Sequence, residues 1–201
     1  MSDLRFRRLN PSVPADLLEW QLVFRSAPSF VYATEGRRPT DEDAERIMRT
    51  LPKERAQEDV FAFSIELDGV LCGCAFVMRG YPKHEVAYLA LLVLMEQFQG
   101  RYLGVRCLRE IEALALSWNC TKLEGVVDSE NTRAATLWER LGFRELYRRQ
   151  LPWLVGPAIV GVKDLSSNKS VNADAQSRSA AAPRRSLVAG YVRRYTAGPG
   201  L

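Results

Sequence analysis

The pattern of hydrophobic and polar positions predicts strands in the first 164 residues, some from alternation and one from a continuous apolar run. The predicted strands are Leu4–Leu9, Phe61–Leu67, Val70–Met78, Val86–Leu94, Lys122–Asp128, Arg144–Leu151 and Trp153–Val162. Asp68-Gly69 is a two-residue turn that joins the second and third strands as a hairpin. Val86–Leu94 is almost wholly apolar, which is typical of a central strand covered on both faces.

Apolar residues spaced three and four positions apart predict helices between these strands. One helix follows Pro14, a second lies between Thr40 and Pro52, a third follows Gly104, and a fourth lies between Asn131 and Gly142. Thr40 is a good N-cap, and acidic residues fill the turn after it. The order predicts a mixed α/β fold, with a mostly antiparallel sheet of six or seven strands and helices on both faces.

Composition is that of a soluble globular protein, with 47% hydrophobic and 26% charged residues. The longest uncharged apolar run, Val86–Met95, is too short to span a bilayer, so no membrane association is expected. The N-terminus begins no apolar signal segment, which predicts a cytoplasmic location.

The net charge of +4 is concentrated at the C-terminus. Residues 165–201 carry six basic residues and one acid, whereas residues 1–164 are close to neutral. We therefore expect a folded domain over 1–164 and a basic, mostly disordered tail over 165–201. Nucleic-acid binding through this tail is an alternative function, although no specific nucleic acid is expected as a partner.

Cysteine and histidine content limits the available chemistry. The cysteines are Cys72, Cys74, Cys107 and Cys120, and His84 is the only histidine. One histidine excludes a multi-histidine metal site, and Cys72-x-Cys74 has the wrong spacing for a zinc knuckle. We therefore predict neither a metal nor a disulfide framework.

The segment Gln99–Gly104 joins the apolar strand to the next helix and contains two glycines. Backbone N–H groups at a helix N-terminus and the helix dipole favour an anion there, and Arg101 adds a positive charge. The segment matches neither the P-loop nor the dinucleotide fingerprint, so alone it is also consistent with an ordinary strand–helix connection.

A second segment makes the first more informative. Gln99–Gly104 matches the pattern Gln/Arg-x-x-Gly-x-Gly/Ala at every specified position except Tyr102, and Asn131–Phe143 matches Asn-x-x-Ala-x-x-Leu-aromatic-x-x-Leu-Gly-Phe. In this order and at this separation, the two motifs resemble the GNAT acetyltransferase superfamily over roughly residues 4–164. The resemblance extends to a bacterial branch whose substrates are mostly unassigned.

The resemblance implies acetyl-CoA as co-substrate and a GNAT-like acyltransferase fold. The loop amides would hold the pyrophosphate, the splayed edge of the central strand would pair with the pantetheine arm, and a backbone N–H near Val93 or Leu94 would stabilise the oxyanion. The cofactor-binding residues implied are Leu92, Val93, Leu94, Gln99, Gly100, Arg101, Tyr102, Leu103, Gly104, Asn131 and Trp138.

Two positions depart from the family pattern. Tyr102 replaces the first glycine of the loop motif, and we expect it to keep a negative φ with its ring turned away from the phosphates. Trp138 stands where many members have tyrosine, and its indole cannot serve as an acid near neutral pH. Spacing to Gly142 and Phe143 favours a packing role for Trp138 at a Schellman helix end, together with shaping of the thioester pocket.

Candidates for removing the amine proton lie near the strand ends. We predict Glu85 as the base, with His84, Asp128 and Glu130 as further candidates. The acceptor wall is expected within residues 25–59. Its acids, Glu35, Asp41, Glu42 and Asp43, would attract a cationic amine or serve as helix caps, and Pro28, Phe30, Tyr32 and Tyr81 offer an apolar alternative.

The sequence therefore predicts an N-acetyltransferase that acts on a primary amine, most simply that of a small molecule, by direct attack. A non-catalytic acyl-CoA sensor is an alternative, motivated by Tyr102 and Trp138. The tail resembles translated gene-cassette sequence, and a cassette setting would favour a detoxifying or antibiotic-resistance role. The sequence does not fix the oligomeric state, and a homodimer stays open.

Overall fold

Seven strands and five α-helices form the described part of the chain, which comprises residues 2–49, 56–151 and 154–165 of a computed structural model. The strands are β1 (Leu4–Arg8), β2 (Val60–Leu67), β3 (Val70–Arg79), β4 (Val86–Leu94), β5 (Lys122–Asp128), β6 (Arg144–Arg149) and β7 (Ala158–Asp164). The helices are α1 (Pro14–Arg25), α2 (Pro28–Glu35), α3 (Asp41–Met48), α4 (Leu103–Ser117) and α5 (Thr132–Arg140). Except for Leu165, the predicted tail lies outside the described residues.

The strands form one sheet in the order β1-β2-β3-β4-β5-β7-β6. Neighbouring strands run antiparallel, except that β4 and β5 are parallel. The turn between β2 and β3 has positive φ at both central residues, 52° at Asp68 and 78° at Gly69, as a type I′ hairpin requires. The mixed, mostly antiparallel α/β fold predicted from the sequence is confirmed.

Helices cover both faces of the sheet, as predicted. On the front face, Trp20 and Phe24 of α1 pack against Phe76 and neighbouring strand residues. On the back face, α4 buries Cys107 and Ile111 against the sheet, and Trp138 of α5 packs nearby. The continuous apolar pattern of β4 follows from its position between these two clusters.

The parallel pair β4 and β5 is in register only at its beginning. Val86–Leu89 pairs with residues 122–125, and the remainder of each strand diverges from the other. Ala90 is an extra residue in β4, because Leu89 pairs with Val77 of β3 while Leu91 pairs with the adjacent Phe76. Such a bulge bends its strand, so its position agrees with the point where the strands part.

The structure also differs from the sequence prediction in its element bounds. Helix α2 was not predicted, although Pro28 at its first turn and Gly36, with φ 67°, at its end are usual helix boundary signals. Strand β7 begins at Ala158 rather than Trp153, and residues 152–153 are not described. The predicted helix end near Pro52 also lies outside the described residues.

Within the described ranges, no helix is long and apolar enough to cross a membrane.

Candidate active site

Helix α4 begins at the glycine-containing loop that follows β4. Its first intrahelical bond runs from the Arg106 N–H to the Tyr102 carbonyl at 3.2 Å, so the amides of Leu103, Gly104 and Val105 precede that ladder. Tyr102 is the N-cap and makes no side-chain cap bond. These amides can therefore donate to an anion at the positive end of the helix dipole.

Tyr102 adopts the left-handed conformation, with φ 57° and ψ 6°. The prediction of a negative φ is therefore wrong: the loop keeps at this position the geometry that glycine adopts without strain. A left-handed conformation costs a non-glycine residue about 1–2 kcal/mol, and packing does not compensate for it, because the tyrosine is 83% exposed. Gly100 also has a positive φ, 79°, which explains glycine there.

The second half of β4 presents alternate backbone groups to the cleft. The Met95 N–H donates to the Cys72 carbonyl of β3 at 2.9 Å, and Val93 pairs with Cys74 one step earlier in the same ladder. Backbone direction alternates along a strand, so the Val93 amide points to β3 and those of Leu92 and Leu94 point to the cleft. The prediction of Val93 as the oxyanion donor is therefore wrong, because its N–H points to β3 within the sheet and not to the cleft.

One cavity of about 1130 Å³ lies at the parting of β4 and β5. It reaches from the α4 loop on the back face to residues of α1, α2 and α3 on the front face. The predicted site residues that line it are Leu92, Val93, Leu94, Gln99, Gly100, Tyr102, Leu103, Gly104, Asn131 and Trp138. The Gln99 side chain donates to the Leu94 carbonyl at 2.9 Å and so ties the loop to the strand.

Two predicted site residues, Glu85 and Arg101, are not among the residues that line this cavity. Glu85 precedes β4 at the end opposite the loop, about 30 Å along the strand from Leu94 at roughly 3.3 Å per residue. Its carboxylate lies 3.1 Å from Nδ1 of His84, whose side chain is 97% exposed. The prediction of Glu85 as the base is therefore wrong, because Glu85 lies at the end of β4 that is far from the cleft.

Three arginines that the sequence prediction does not include line the cavity: Arg109, Arg133 and Arg140. A Cβ built on Gly100 would lie 3.5 Å from Nη2 of Arg133, so this guanidinium lies beside the loop backbone. Arg133 falls at an unspecified position of the Asn131–Phe143 motif, where the pattern alone gives no reason to select it. Arg133 therefore lies where its guanidinium can pair with the phosphate groups of a nucleotide cofactor.

The segment after β5 is organised by buried polar groups. Asn131 caps α5, with its side-chain oxygen accepting the Ala134 N–H at 3.1 Å. Asp128 is 3% exposed and accepts N–H groups from Glu130 at 2.9 Å and from Gly156 at 3.2 Å. Asp128 therefore ties the turn that follows β5 to the segment that precedes β7, which accounts for its burial without a role as a base.

Trp138 closes the C-terminal end of α5 and covers the sheet. The Phe143 N–H donates to its carbonyl at 3.0 Å, Gly142 has φ 87°, and the Trp138 and Phe143 rings lie 4.5 Å apart. These are the hydrogen bond and the hydrophobic contact of the predicted Schellman ending. The indole packs over Gly125 and Gly161 while also lining the cavity, so it supports the wall of the pocket.

Three of the acids predicted to attract a cationic acceptor, Glu35, Asp41 and Asp43, are engaged within the protein. Asp41 is paired with Arg25 at 2.6 Å, and neither it nor Glu42 lines the cavity. Glu35 and Asp43 do line it, where both contact Arg37 and Arg46. Burial alone would raise the pKa of Asp43, but hydrogen bonds from Arg37, the Thr40 backbone N–H and Arg46 lower it to about 2.

The cysteines supply no nucleophile for a covalent acyl intermediate. All four are buried and free. Burial raises the pKa of Cys72 to about 11 and that of Cys107 to about 12, so neither thiol ionises near neutral pH. In the described part of the chain, no cluster of histidine, cysteine and acidic residues could hold a metal ion.

A model of the acetyltransferase (GNAT) family matches residues 17–143. The chain therefore belongs to the GNAT family and is an acetyl-CoA-dependent N-acetyltransferase. The anion-binding loop before α4, the cleft between β4 and β5, and Arg133 beside the loop are consistent with this activity. No curated protein sequence matches it significantly.

Solved structures share its fold. An acetyltransferase from Thermus thermophilus is 26% identical, with a TM-score of 0.64, over 80% of this chain and 96% of that one. The aminoglycoside acetyltransferase AAC(6')-Ib, in complex with ribostamycin and coenzyme A, is 22% identical with a TM-score of 0.66, over 86% and 99%. A chimera of the Vibrio cholerae spermidine N-acetyltransferase SpeG with hSSAT is 17% identical with a TM-score of 0.63, over 82% and 96%.

Proposed function

We propose that the protein transfers the acetyl group of acetyl-CoA to the primary amine of a small molecule, by direct attack of the amine on the thioester. The observation that carries this proposal is the cavity that continues through the parting of β4 and β5. One end meets the anion-binding loop and the other meets the front-face helices, so two reactants entering from opposite faces would meet between the strands. Holding two reactants in line can supply effective molarities of about 10⁵ to 10⁸ M.

The loop end of the cavity would hold the cofactor phosphates. Amides at the start of α4 would donate to the pyrophosphate, with Arg133 beside them. The cleft-facing backbone of Leu92 and Leu94 would pair with the pantetheine arm, and Asn131 would approach that arm near the thiol. These roles follow the family pattern, and the cavity lining supports them because it contains each of these residues.

The transfer step needs no side chain that forms a covalent intermediate. The amine nitrogen attacks the thioester carbonyl carbon, the resulting oxyanion accepts a hydrogen bond from a cleft-facing amide of β4, and the carbon–sulfur bond then breaks. The thiolate leaves as such, since a thiol pKa near roughly 8.5 makes it a tolerable leaving group. Burial of the four cysteines, none of which lines the cavity, supports this direct route over a two-step one.

Water carries the amine proton in this proposal. Among the described residues, the acids that line the cavity are Glu35, Asp43 and Asp128, and hydrogen bonds inside the protein hold each of them. The pH dependence of kcat/KM should therefore follow the pKa of the acceptor amine. Amines of different pKa should shift the profile accordingly, and a profile with one fixed pKa for every amine would instead indicate a base on the protein.

Release of free thiol from acetyl-CoA, measured against a panel of primary amines, tests the proposal directly. Thiol release that saturates with at least one amine, together with an acetylated product of the expected mass, supports it. Saturable CoA binding without thiol release on any amine would support the sensor alternative. A homodimer and a resistance role both stay predictions.

A further inference from the structure

The front half of the cavity is walled by apolar side chains. The residues that form this wall are Phe24, Phe30, Val31, Ile47, Leu91 and Val126. The Phe24 ring lies 6.2 Å from the Phe30 ring at 55° where α1 meets α2, but it is only 1% exposed, so it supports Phe30 from behind and the accessible aromatic surface is that of Phe30. Such a surface favours an apolar group over a hydrated cation.

Two of the acids at this end belong to a four-residue ion cluster, here called the α2–α3 cluster: Glu35, Arg37, Asp43 and Arg46. Arg37 contacts Glu35 at 2.6 Å and both oxygens of Asp43, and Arg46 contacts Glu35 at 2.8 Å and Asp43 at 2.7 Å. Every carboxylate oxygen in the cluster therefore accepts a hydrogen bond. Two cations and two anions cancel, so the cluster presents no net charge to an acceptor.

Asp128 is the third acid among the described residues that line the cavity, and its hydrogen-bond partners are backbone groups rather than arginines. Its two oxygens accept backbone N–H groups, from Glu130 and Gly156, and these carry no formal charge. Asp128 ends β5, on the stretch that has diverged from β4. Its negative charge is therefore uncompensated by these partners and lies close to where acetyl transfer would occur.

We propose that the acceptor is a monoamine with an apolar, ring-sized body, and that the cavity discriminates against polycations. This inference rests on the proposed function and deepens it. The single ammonium is attracted towards Asp128 and the parting of the strands, and the apolar body packs on Phe30 and Val126, the two partly exposed members of the apolar wall. A polycation would place a second ammonium against the apolar wall or the neutral α2–α3 cluster, where it loses hydration without gaining an anionic partner.

A matched acceptor panel tests the inference with wild-type protein. Phenethylamine and tryptamine serve as apolar monoamine probes, and spermidine and ribostamycin as polycations. We expect kcat/KM for the better monoamine to exceed that of either polycation by about tenfold or more, because each stranded charge is costly. A polycation with the highest kcat/KM of the panel would overturn the inference while leaving acetyl transfer intact.

Calorimetric titration of the CoA-loaded protein with the same amines separates the inference from the proposed function. Binding of a monoamine in preference to spermidine, combined with no thiol release in the separate acetyl-CoA assay, would support the inference and contradict catalysis. Preferential binding of spermidine would overturn the inference whether or not thiol is released, and so would equal affinity for the two classes.

Altering the charge of the α2–α3 cluster provides a second test. Arg37→Gln removes a cation whose side chain is not part of the cavity lining and leaves the cluster with a net charge of −1. We expect the spermidine to monoamine ratio of kcat/KM to rise about fivefold or more, and salt to reduce this rise. Arg38→Gln, which removes the same charge from an exposed neighbour outside the cluster, should leave the ratio unchanged. Equal ratios in both variants would contradict the inference.

A pair of substitutions on α2 covers the case in which Arg37→Gln does not fold. Phe30→Glu places an acid in the apolar wall, and Tyr32→Glu places the same acid at a residue that is 67% exposed and outside the cavity lining. The first should favour spermidine relative to phenethylamine, and the second should not. A thermal midpoint measured with and without CoA checks that both variants are folded.

Discussion

The indole of Trp138 occupies the space that a side chain on Gly125 would need. A Cβ built on Gly125 would lie 2.5 Å from Cη2 of Trp138 and 2.9 Å from the Leu89 carbonyl oxygen. Glycine in the middle of β5 therefore allows α5 to approach the sheet closely, and this approach places the wall of the cavity.

Replacing Gly125 should consequently destabilise the protein. Gly125→Ala pushes Trp138 out of its position, and overpacking of this kind costs about 1–3 kcal/mol in the free energy of unfolding. Urea denaturation measures the change. Gly104→Ala is the matched control, because a Cβ there meets only ordinary contacts at 3.8 Å and 3.9 Å and should not lower stability. Adding Trp138→Phe to Gly125→Ala should recover part of the loss, and a strictly additive double variant would contradict the packing account.

The left-handed Tyr102 predicts a variant more stable than the wild type. Tyr102→Gly removes the steric strain of φ 57°, and we expect it to raise the free energy of unfolding by about 1 kcal/mol with the loop shape retained. The affinity for CoA should stay within about threefold of wild type, or roughly 0.7 kcal/mol. Tyr102→Ala, which removes the ring but keeps a Cβ, should not gain the stability. A large loss of CoA affinity in both variants would show that the ring contacts the cofactor.

Replacing Asp128 with asparagine should lower the free energy of unfolding of the protein. Asp128→Asn exchanges one acceptor oxygen for an NH₂ group opposite a backbone N–H, so a buried hydrogen bond is lost at a cost of about 1–3 kcal/mol. Asp164→Asn is the control, because its pairing with Arg144 at 3.7 Å is exposed and is worth at most about 1 kcal/mol. Denaturation midpoints of the two variants measure the difference, and equal midpoints would show that the Gly156 contact is dispensable.

The low pKa of Asp43 predicts a specific loss of stability in acid. Its folded pKa of about 2 lies below the ordinary 3.8, so the stabilisation is complete above pH 4 and is lost as the pH falls towards 2. Linkage converts this difference to about 2 kcal/mol. Asp43→Asn should be less stable than wild type at pH 6, and its free energy of unfolding should fall less between pH 5 and pH 3. Parallel slopes for the two proteins would show that Asp43 is not the source.

Local pattern predicted the elements because each local signal agreed with its tertiary environment. Asp68-Gly69 set the hairpin, and the all-apolar strand Val86–Leu94 set the centre of the sheet. The pair of motifs at Gln99–Gly104 and Asn131–Phe143 led to the family, which the family match confirms. The spacing of Trp138 to Gly142 and Phe143 also predicted the helix end that the structure contains.

The parts that sequence reasoning missed depend on direction and pairing in space. Proximity in sequence to the central strand suggests Glu85 as the base, but Glu85 precedes β4 and so lies at the end of the strand opposite the cleft. Sequence also does not give the register of β3 and β4, which decides that the Val93 N–H points to β3 and cannot serve as the oxyanion donor. The acids Glu35 and Asp43 looked available because their arginine partners could not be identified from sequence.

The parting of β4 and β5 makes the middle of the sheet its weakest seam. Register between these strands covers only Val86–Leu89, which is shorter than any other pairing in the sheet. A ligand that binds between the diverging parts of β4 and β5 stabilises the folded protein, by about 2.7 kcal/mol when the free ligand concentration is a hundred times Kd. The substrate therefore also acts as a structural element, and the loaded protein should unfold as a more cooperative unit than the empty one.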